Sequence, residues 1–195
     1  MRRIYRVEKN LYKLVLPPCV VAQGEQAKLA LADSMFSQGC AAERSGGEEE
    51  ALGFYDSALQ GDSDHPGALN NAGVIHQQRG HLEAAESYYR RAIVADPGYV
   101  LAHYNLGNIL EDLGSLDQAI DHYNKAVAVR PEYADAHYNL AGVYRRKGLQ
   151  GKALLHYRYF LRYTSPDDDP VFRKGAERAV AEILRTLQLV TPLAG

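Results

Sequence analysis

The sequence has no tryptophan, only two cysteines and a net charge close to zero. Two cysteines cannot build a disulfide framework, and the separation of Cys19 from Cys40 does not match the close pairs of a zinc site. No apolar run approaches the roughly 18–20 residues that a helix needs to cross a membrane. The formal charge of −2 creates no overall field toward nucleic acid or anionic lipid. We therefore expect no membrane span and no nucleic-acid partner.

Features that suggest a targeting signal occur near the N-terminus. Residues 1–22 carry five basic residues and one acidic residue, and they include the apolar stretch 11–22. Lys13 and the Pro17-Pro18 pair interrupt that stretch, whereas a secretory signal has a continuous apolar region. We therefore expect a cytoplasmic protein. Export is the alternative, if residues 1–22 act as an atypical signal.

The dominant feature of the sequence is self-similarity with a period of 34 residues. Five columns of small or aromatic residues keep their places through four successive periods. They are Gly39, Gly73, Gly107 and Ala141; Gly46, Gly80, Gly114 and Gly148; Ala51, Ala85, Ala119 and Ala153; Tyr55, Tyr89, Tyr123 and Tyr157; and Ala58, Ala92, Ala126 and Phe160.

One period, residues 100–133, illustrates the helices and turns predicted for each unit. Apolar residues recur at helical spacing over its first half and again over its second half. Gly114 separates the two patterns, as glycine does just beyond a helix end, and Pro131 ends the second. The small residue Gly107 lets the two helices approach closely, and Tyr123 fills the space beside them. Such a pair cannot bury its apolar faces alone, so it must stack on neighbouring pairs.

This helix–turn–helix unit, with its columns in this order, resembles the tetratricopeptide repeat over about residues 32–167. The resemblance implies an all-α, right-handed α-solenoid of about nine helices with a C-terminal capping helix. The expected divisions are a basic N-terminal arm, extended or hairpin, over 1–25; a degenerate first repeat over 26–65; repeats over 66–99, 100–133 and 134–167; and the capping helix over 169–189.

The capping helix is predicted from its own pattern. Asp169 suits the N-cap position and Pro170 the first helical position. One face of the predicted helix is apolar and closes the exposed end of the stack, whereas the other face is basic. The apolar face has Phe172, Ala176, Ala179, Val180, Ile183, Leu184 and Leu187, and the basic face has Arg173, Lys174, Arg178 and Arg185.

Charge is distributed unevenly along the chain. Residues 1–22 and 134–195 each have a net charge of +4, whereas residues 23–133 have a net charge of −10. An acidic first repeat and a basic cap at opposite ends of a solenoid favour a head-to-tail contact. Exposed charges contribute little each and are screened beyond roughly 8 Å at physiological salt. The pattern predicts a monomer or a weak, salt-sensitive self-association.

Residues that could perform catalysis or hold a metal are scarce. The seven histidines form no His-Glu-x-x-His motif, and the chain has no paired cysteine motif and no glycine-rich phosphate loop. His103 and His137 lie one repeat apart on successive first helices, so a partly buried or surface position accounts for them better than metal binding. We predict no catalytic residue, no metal and no cofactor. Cys40 is expected to be buried rather than nucleophilic.

A second stripe on the first helix of each repeat carries the candidate binding residues. In stacked tetratricopeptide repeats this stripe lines the concave groove. Asn71, Asn105 and Asn139 recur within it at the 34-residue spacing, and Tyr104 and Tyr138 stand beside two of them. The candidate groove residues are Asn70, Asn71, Tyr104, Asn105, Asn108, Asp112, Tyr138, Asn139, Arg145 and Arg146.

Two interpretations of the asparagines stay open. Their amides either bridge neighbouring helices or form a ladder that grips the main chain of a ligand, similar to the repeats of O-linked GlcNAc transferases. Alanine is the better helix former. Under the ladder interpretation, replacing all three asparagines with alanine should weaken binding and leave stability nearly unchanged. Unfolding of that variant would indicate bridges. The basic members of the carboxylate clamp that chaperone-tail repeats use are missing at the matching positions.

These patterns favour a non-catalytic protein–protein interaction module that binds a partner polypeptide in the concave groove. The alternative is a structural or assembly subunit of a larger complex, anchored through its N-terminal arm and convex face. Deleting residues 1–22 should release such a subunit but leave a groove adaptor with its partner. An enzyme ranks far behind, because no catalytic domain fits within the 195 residues.

Overall fold

The computed structural model describes the backbone of residues 18–165 and 170–190, and the side chains of residues 24–165 and 170–187. Over these ranges the chain forms nine α-helices and no strand. They are α1 (Pro18–Arg44), α2 (Glu48–Gly61), α3 (Pro66–Gln78), α4 (Leu82–Ala95), α5 (Val100–Asp112), α6 (Leu116–Val129), α7 (Ala134–Arg146), α8 (Gln150–Tyr163) and α9 (Pro170–Val190). None of the helices described is both long enough and apolar enough to cross a membrane.

The helices pack in consecutive pairs, and the pairs stack on one another. α1 packs on α2, α3 on α4, α5 on α6 and α7 on α8, while α9 packs on α8. The first helices of successive pairs also touch, since α5 contacts both α3 and α7. The molecule is therefore an all-α solenoid of helical repeats, as predicted.

A glycine in the left-handed conformation ends the first helix of every pair. Gly46, Gly80, Gly114 and Gly148 have φ values of +83°, +76°, +74° and +73°. After Gly114, the N–H of Ser115 donates to the Leu110 carbonyl at 2.8 Å, which is the bond of a Schellman motif. A side chain would be strained at this φ, so the glycine column is explained by backbone geometry.

The two helices of each pair meet where a tyrosine ring lies against a glycine. The rings of Tyr55, Tyr89 and Tyr123 are fully buried. A Cβ atom at Gly107 would lie 2.6 Å from Cε1 of Tyr123, and a Cβ at Gly73 would lie 2.7 Å from the same atom of Tyr89. Any larger residue at these positions would collide with the tyrosine ring, so the packing of the two helices requires glycine there, as the sequence indicated.

The N-terminal division needs a correction. α1 begins at Pro18, so residues 18–25 are helical and do not belong to an extended arm or hairpin. The physical reason is that proline suits the first helical position, and the residues that follow it include several good helix formers. Residues 24–31 are exposed, and Ala32 is the first buried residue among the side chains of α1 that the structure describes. Residues 1–17, the rest of the predicted arm, lie outside the described part of the chain.

The capping helix lies on the last pair, with two differences from its predicted apolar face. Ala176, Ala179 and Ile183 are buried against α8 and its neighbours. Phe172 is 49% exposed and Leu187 is 38% exposed. The proposed N-cap, Asp169, lies outside the described residues.

Gly107 and Gly142 make a matched pair for testing the tyrosine contact. Gly107→Ala should lower the free energy of unfolding by about 1–3 kcal/mol, because the new methyl group enters the space of a buried ring. Gly142→Ala should raise it by up to about 1 kcal/mol, because a Cβ there meets nothing within 4 Å and alanine favours the helix. Urea unfolding measures both values. Equal effects at the two sites would show that the glycine column is not a packing requirement.

Candidate functional site

The asparagines of the first helices are joined by hydrogen bonds that cross from one repeat to the next. Asn105 Nδ2 on α5 donates to Asn70 Oδ1 on α3 at 3.0 Å. Asn139 Nδ2 on α7 donates to Asn108 Oδ1 on α5 at 2.8 Å. Asn71 Nδ2 donates to the hydroxyl of Tyr55 at 3.0 Å. The asparagine amides therefore bridge neighbouring helices, as the first of the two interpretations predicted.

The bridges sort the candidate asparagines into supporting and accessible residues. Asn70 is only 2% exposed, because its amide is enclosed between Asn71 and Asn105. A ligand cannot reach it, so we remove Asn70 from the proposed binding surface. Asn105, Asn108 and Asn139 are half-buried. The 34-residue spacing predicted that these residues share a face, but it could not tell which atoms were already bonded.

Hydroxyl groups of the core tyrosines reach the same network. The Tyr123 hydroxyl lies 2.7 Å from Asn108 Oδ1 and 3.0 Å from Glu111 Oε2. The Tyr55 hydroxyl donates to Glu43 Oε2 at 2.7 Å and lies 3.7 Å from Cys40 Sγ. Cys40 itself is half-buried rather than buried. Burial raises the pKa of the Tyr123 hydroxyl, as do the charge and hydrogen bond of Glu111, so it stays a neutral donor.

The basic residues at the end of α7 are paired with carboxylates of three other helices. Arg145 Nη2 lies 2.9 Å from Glu182 Oε2 on α9, and Arg146 Nη1 lies 3.0 Å from Glu111 Oε1 on α5. Lys147 pairs with Asp117 on α6. The positive charge that the sequence assigned to the groove through Arg145 and Arg146 is therefore largely compensated.

A cavity of about 690 Å³ opens where the first helices meet the cap. It includes three of the predicted groove residues, Tyr104, Tyr138 and Asn139. The other residues that line it are Ala134, Asp135, Phe160, Tyr163, Thr164, Phe172 and Arg173. Asp135 and the residues from α8 and α9 were not among the predicted groove residues. The signal was Phe160, which replaces the small residue of its column.

The walls of the cavity are aromatic and are held by contacts among the rings. The Tyr138 ring lies 5.0 Å from Phe160 and 5.1 Å from Phe172 between centroids, the latter at an angle of 86°. Tyr104 packs edge-on against Tyr133 at 5.2 Å. Edge-to-face geometry of this kind is favourable for aromatic pairs. The cavity is therefore preformed.

Arg173 lines the cavity, and its Nη1 and Nε donors are occupied. Its Nη1 atom lies 3.2 Å from the Thr164 carbonyl and 3.4 Å from the Leu161 carbonyl. Its Nε atom lies 3.4 Å from Glu177 Oε1. The guanidinium thus links the C-terminal end of α8 to the first turn of α9.

A histidine pair joins the two helices within each of the third and fourth repeats. His103 Nδ1 is 3.0 Å from His122 Nδ1, and His137 Nδ1 is 2.9 Å from His156 Nδ1. His137 Nε2 also lies 2.8 Å from the Pro131 carbonyl, which can only accept. That nitrogen therefore carries the proton, so His137 Nδ1 accepts from His156. Within the described ranges, no three His, Cys, Asp or Glu residues are grouped to hold a metal ion.

Comparison with family models identifies the repeats. A model described as TPR repeat matches residues 107–148, and two described as tetratricopeptide repeat match residues 88–121 and 36–100. Together the matches extend over more than half of the chain. No curated protein matches the sequence.

Several solved structures share the fold. A mutant of the O-GlcNAc transferase of Thermobaculum terrenum is 29% identical with a TM-score of 0.63, over 71% of this chain. This chain spans only 27% of the length of that protein. YrrB, described as a TPR protein with an unusual peptide-binding site, is 20% identical with a TM-score of 0.61, over 91% of this chain and 94% of its own. The first TPR of Spaghetti (RPAP3), bound to the HSP90 peptide SRMEEVD, is 19% identical with a TM-score of 0.58, over 62% of this chain and 98% of its own.

Asn105→Ala should lower the free energy of unfolding by about 1–2 kcal/mol. The substitution leaves the buried Asn70 Oδ1 without its donor, and a buried unsatisfied acceptor costs more than alanine gains as a helix former. The matched control is Asn124→Ala on α6, whose amide takes part in none of the bridges. Urea unfolding of both variants measures the difference. If Asn105→Ala is as stable as the control, the amide bridge is not a structural bond.

The histidine pairs predict a dependence of stability on pH. Burial lowers the pKa of both His122 and His156 to about 4, with the neighbouring histidine of each pair acting in the same direction. The unfolded chain, with histidine pKa values near 6.5, binds protons that the folded chain does not. The free energy of unfolding should therefore fall as the pH drops from about 6.5 toward about 4.

The double variant His122→Gln/His156→Gln isolates this contribution, because glutamine keeps a donor and does not titrate. Its urea midpoint should fall less between about pH 7 and about pH 5 than that of the parent chain. His81→Gln, at an exposed histidine outside both pairs, should follow the parent. An unchanged pH dependence in the double variant would contradict the assignment.

Proposed function

This chain belongs to the tetratricopeptide-repeat family, and we propose that it is a non-catalytic interaction module that holds a partner polypeptide in the groove of α3, α5, α7 and α9. The observation that carries the proposal is the aromatic cavity of about 690 Å³ at the end of the polar stripe. Concave, preformed sites with apolar walls and a few polar groups are the usual form of binding sites. Because the rings and amides are already fixed, ordering these side chains adds little to the free-energy cost of binding.

The asparagine ladder can be structural and binding at once. Asn105 and Asn139 donate through Nδ2 to the preceding repeat. In the described part of the chain, the Oδ1 atom of each has no hydrogen-bond donor, so it is free to accept a main-chain N–H of an extended ligand. We propose that the bridge orients the amide and that the oxygen contacts the ligand. In this proposal the same asparagines both bridge neighbouring helices and bind the main chain of a ligand.

The structural neighbours support a peptide ligand in general terms. YrrB is described as having a peptide-binding site, and the repeat of Spaghetti is described as bound to an HSP90 peptide. The HSP90 peptide SRMEEVD has three acidic residues among its last four. The basic residues of the carboxylate clamp, which would bind such a tail, are missing at the matching groove positions of this chain. We therefore propose a different ligand chemistry for this chain. The similarity to O-GlcNAc transferase covers only 27% of that protein, so the proposal takes from it the repeat fold and not the transferase activity.

A matched pair of variants tests where the partner binds. Phe172, in the cavity, and Leu155, on α8 outside it, are both 49% exposed. Peptides selected by the intact chain from a random phage-displayed library are labelled, and their affinities are measured by fluorescence polarisation. Phe172→Ala should weaken binding about fivefold or more, which corresponds to about 1 kcal/mol or more. Leu155→Ala should leave the affinity nearly unchanged.

The opposite result would overturn the proposal. If Leu155→Ala weakens binding and Phe172→Ala does not, the partner contacts the outer helices, and an assembly subunit anchored outside the groove becomes the better explanation. Circular dichroism of both variants confirms that each is folded, since both residues are half exposed.

A further inference from the structure

The charges along the groove do not balance one another. The arginines among the predicted groove residues and the cavity lining are each paired with a carboxylate: Arg145 with Glu182, Arg146 with Glu111 and Arg173 with Glu177. Asp112 and Asp135 are exposed, and neither has an ion-pair or hydrogen-bond partner among the described residues. Within this set, two carboxylates are left without a partner and no arginine is. The charge of the set is complementary to a cationic ligand.

Asp135 stands at the aromatic cavity. It lies in the first turn of α7, one turn before Tyr138 and beside Ala134, which also lines the cavity. A carboxylate in the first turn is stabilised in its charged form by the helix dipole, and it cancels the attraction of that helix end for anions. The charge of Asp135 also contributes to a raised pKa of Tyr104, after the larger effect of burial, so it acts on that wall of the cavity.

We propose that this cavity receives an arginine side chain of the partner, with its guanidinium against the aromatic walls and its donors directed to Asp135 and Asn139 Oδ1. The proposal rests on the proposed function, because it names the chemistry of the ligand for the same groove. Arginine fits better than lysine, because its planar group stacks on aromatic rings and presents several donors in a fixed plane. A fixed carboxylate and a neutral amide oxygen together match that fork.

An acidic side chain fits the cavity poorly. The one cation that lines it, Arg173, already contacts two carbonyl groups and Glu177. A ligand carboxylate would therefore compete with these acceptors for Arg173 and would approach Asp135. Like charges brought together in this way oppose binding.

Short peptides test the proposal directly on the full chain. The probes are acetyl-Gly-Xaa-Gly-amide, with Xaa as arginine, citrulline, lysine or glutamate, titrated against the protein by NMR. Citrulline has the shape of arginine without its charge. The arginine peptide should shift the resonances of Tyr104, Tyr138 and Asn139 in a saturable way. The citrulline and glutamate peptides should bind about fivefold more weakly or not at all.

Two variants that remove one exposed acid each complete the design. Asp135→Asn should weaken the arginine peptide about fivefold, whereas Asp56→Asn, at an exposed acid on α2 outside the groove, should change its affinity less than twofold. No binding of the arginine peptide, equal binding of citrulline, or indifference to Asp135→Asn would overturn the proposal. If library peptides still depend on Phe172 in that case, the groove function stands and only the arginine assignment fails.

Discussion

The contact of a tyrosine ring with a glycine of the paired helix determines the geometry of every repeat in which it occurs. The ring is fully buried, and its far atoms approach the glycine so closely that a methyl group would not fit. The hydroxyl of the same tyrosine bonds an acceptor twelve residues earlier: Glu43, Gln77 or Glu111. One side chain therefore sets both the distance between two helices and their register. Stacking of the pairs follows, because the apolar faces left over can be buried only against a neighbour.

The groove depends on the same contact. The Tyr123 hydroxyl reaches Asn108, which in turn accepts from Asn139 of the next repeat. The core thus extends by hydrogen bonds into the proposed binding surface. Packing and the proposed binding surface therefore share one continuous set of residues. A low-dielectric setting strengthens such bonds and makes each member costly to remove.

Regular features of the fold could be predicted from the sequence, and the particular features of the site could not. The 34-residue columns indicated the helix pairs, the glycine turns and the Tyr123–Gly107 contact, because each arises from sterics that act within a single repeat. The cavity requires Phe160 and Tyr163 of α8 to converge with Phe172 of the capping helix, and no periodicity encodes that convergence. The histidine pairs were similarly hidden. His103 and His122 are separated by nineteen residues, and only the packing of α5 on α6 brings them together.

Three consecutive basic residues at the end of α7 connect that helix to α9, α5 and α6. These ion pairs lie at the junctions between repeats, and they join side chains that are partly or largely exposed to solvent. Dissolved ions weaken attractions of this kind, whereas the apolar contacts beneath them are much less affected. We therefore expect the curvature of the last repeats to depend on ionic strength, with the groove narrower in dilute buffer and wider at high salt.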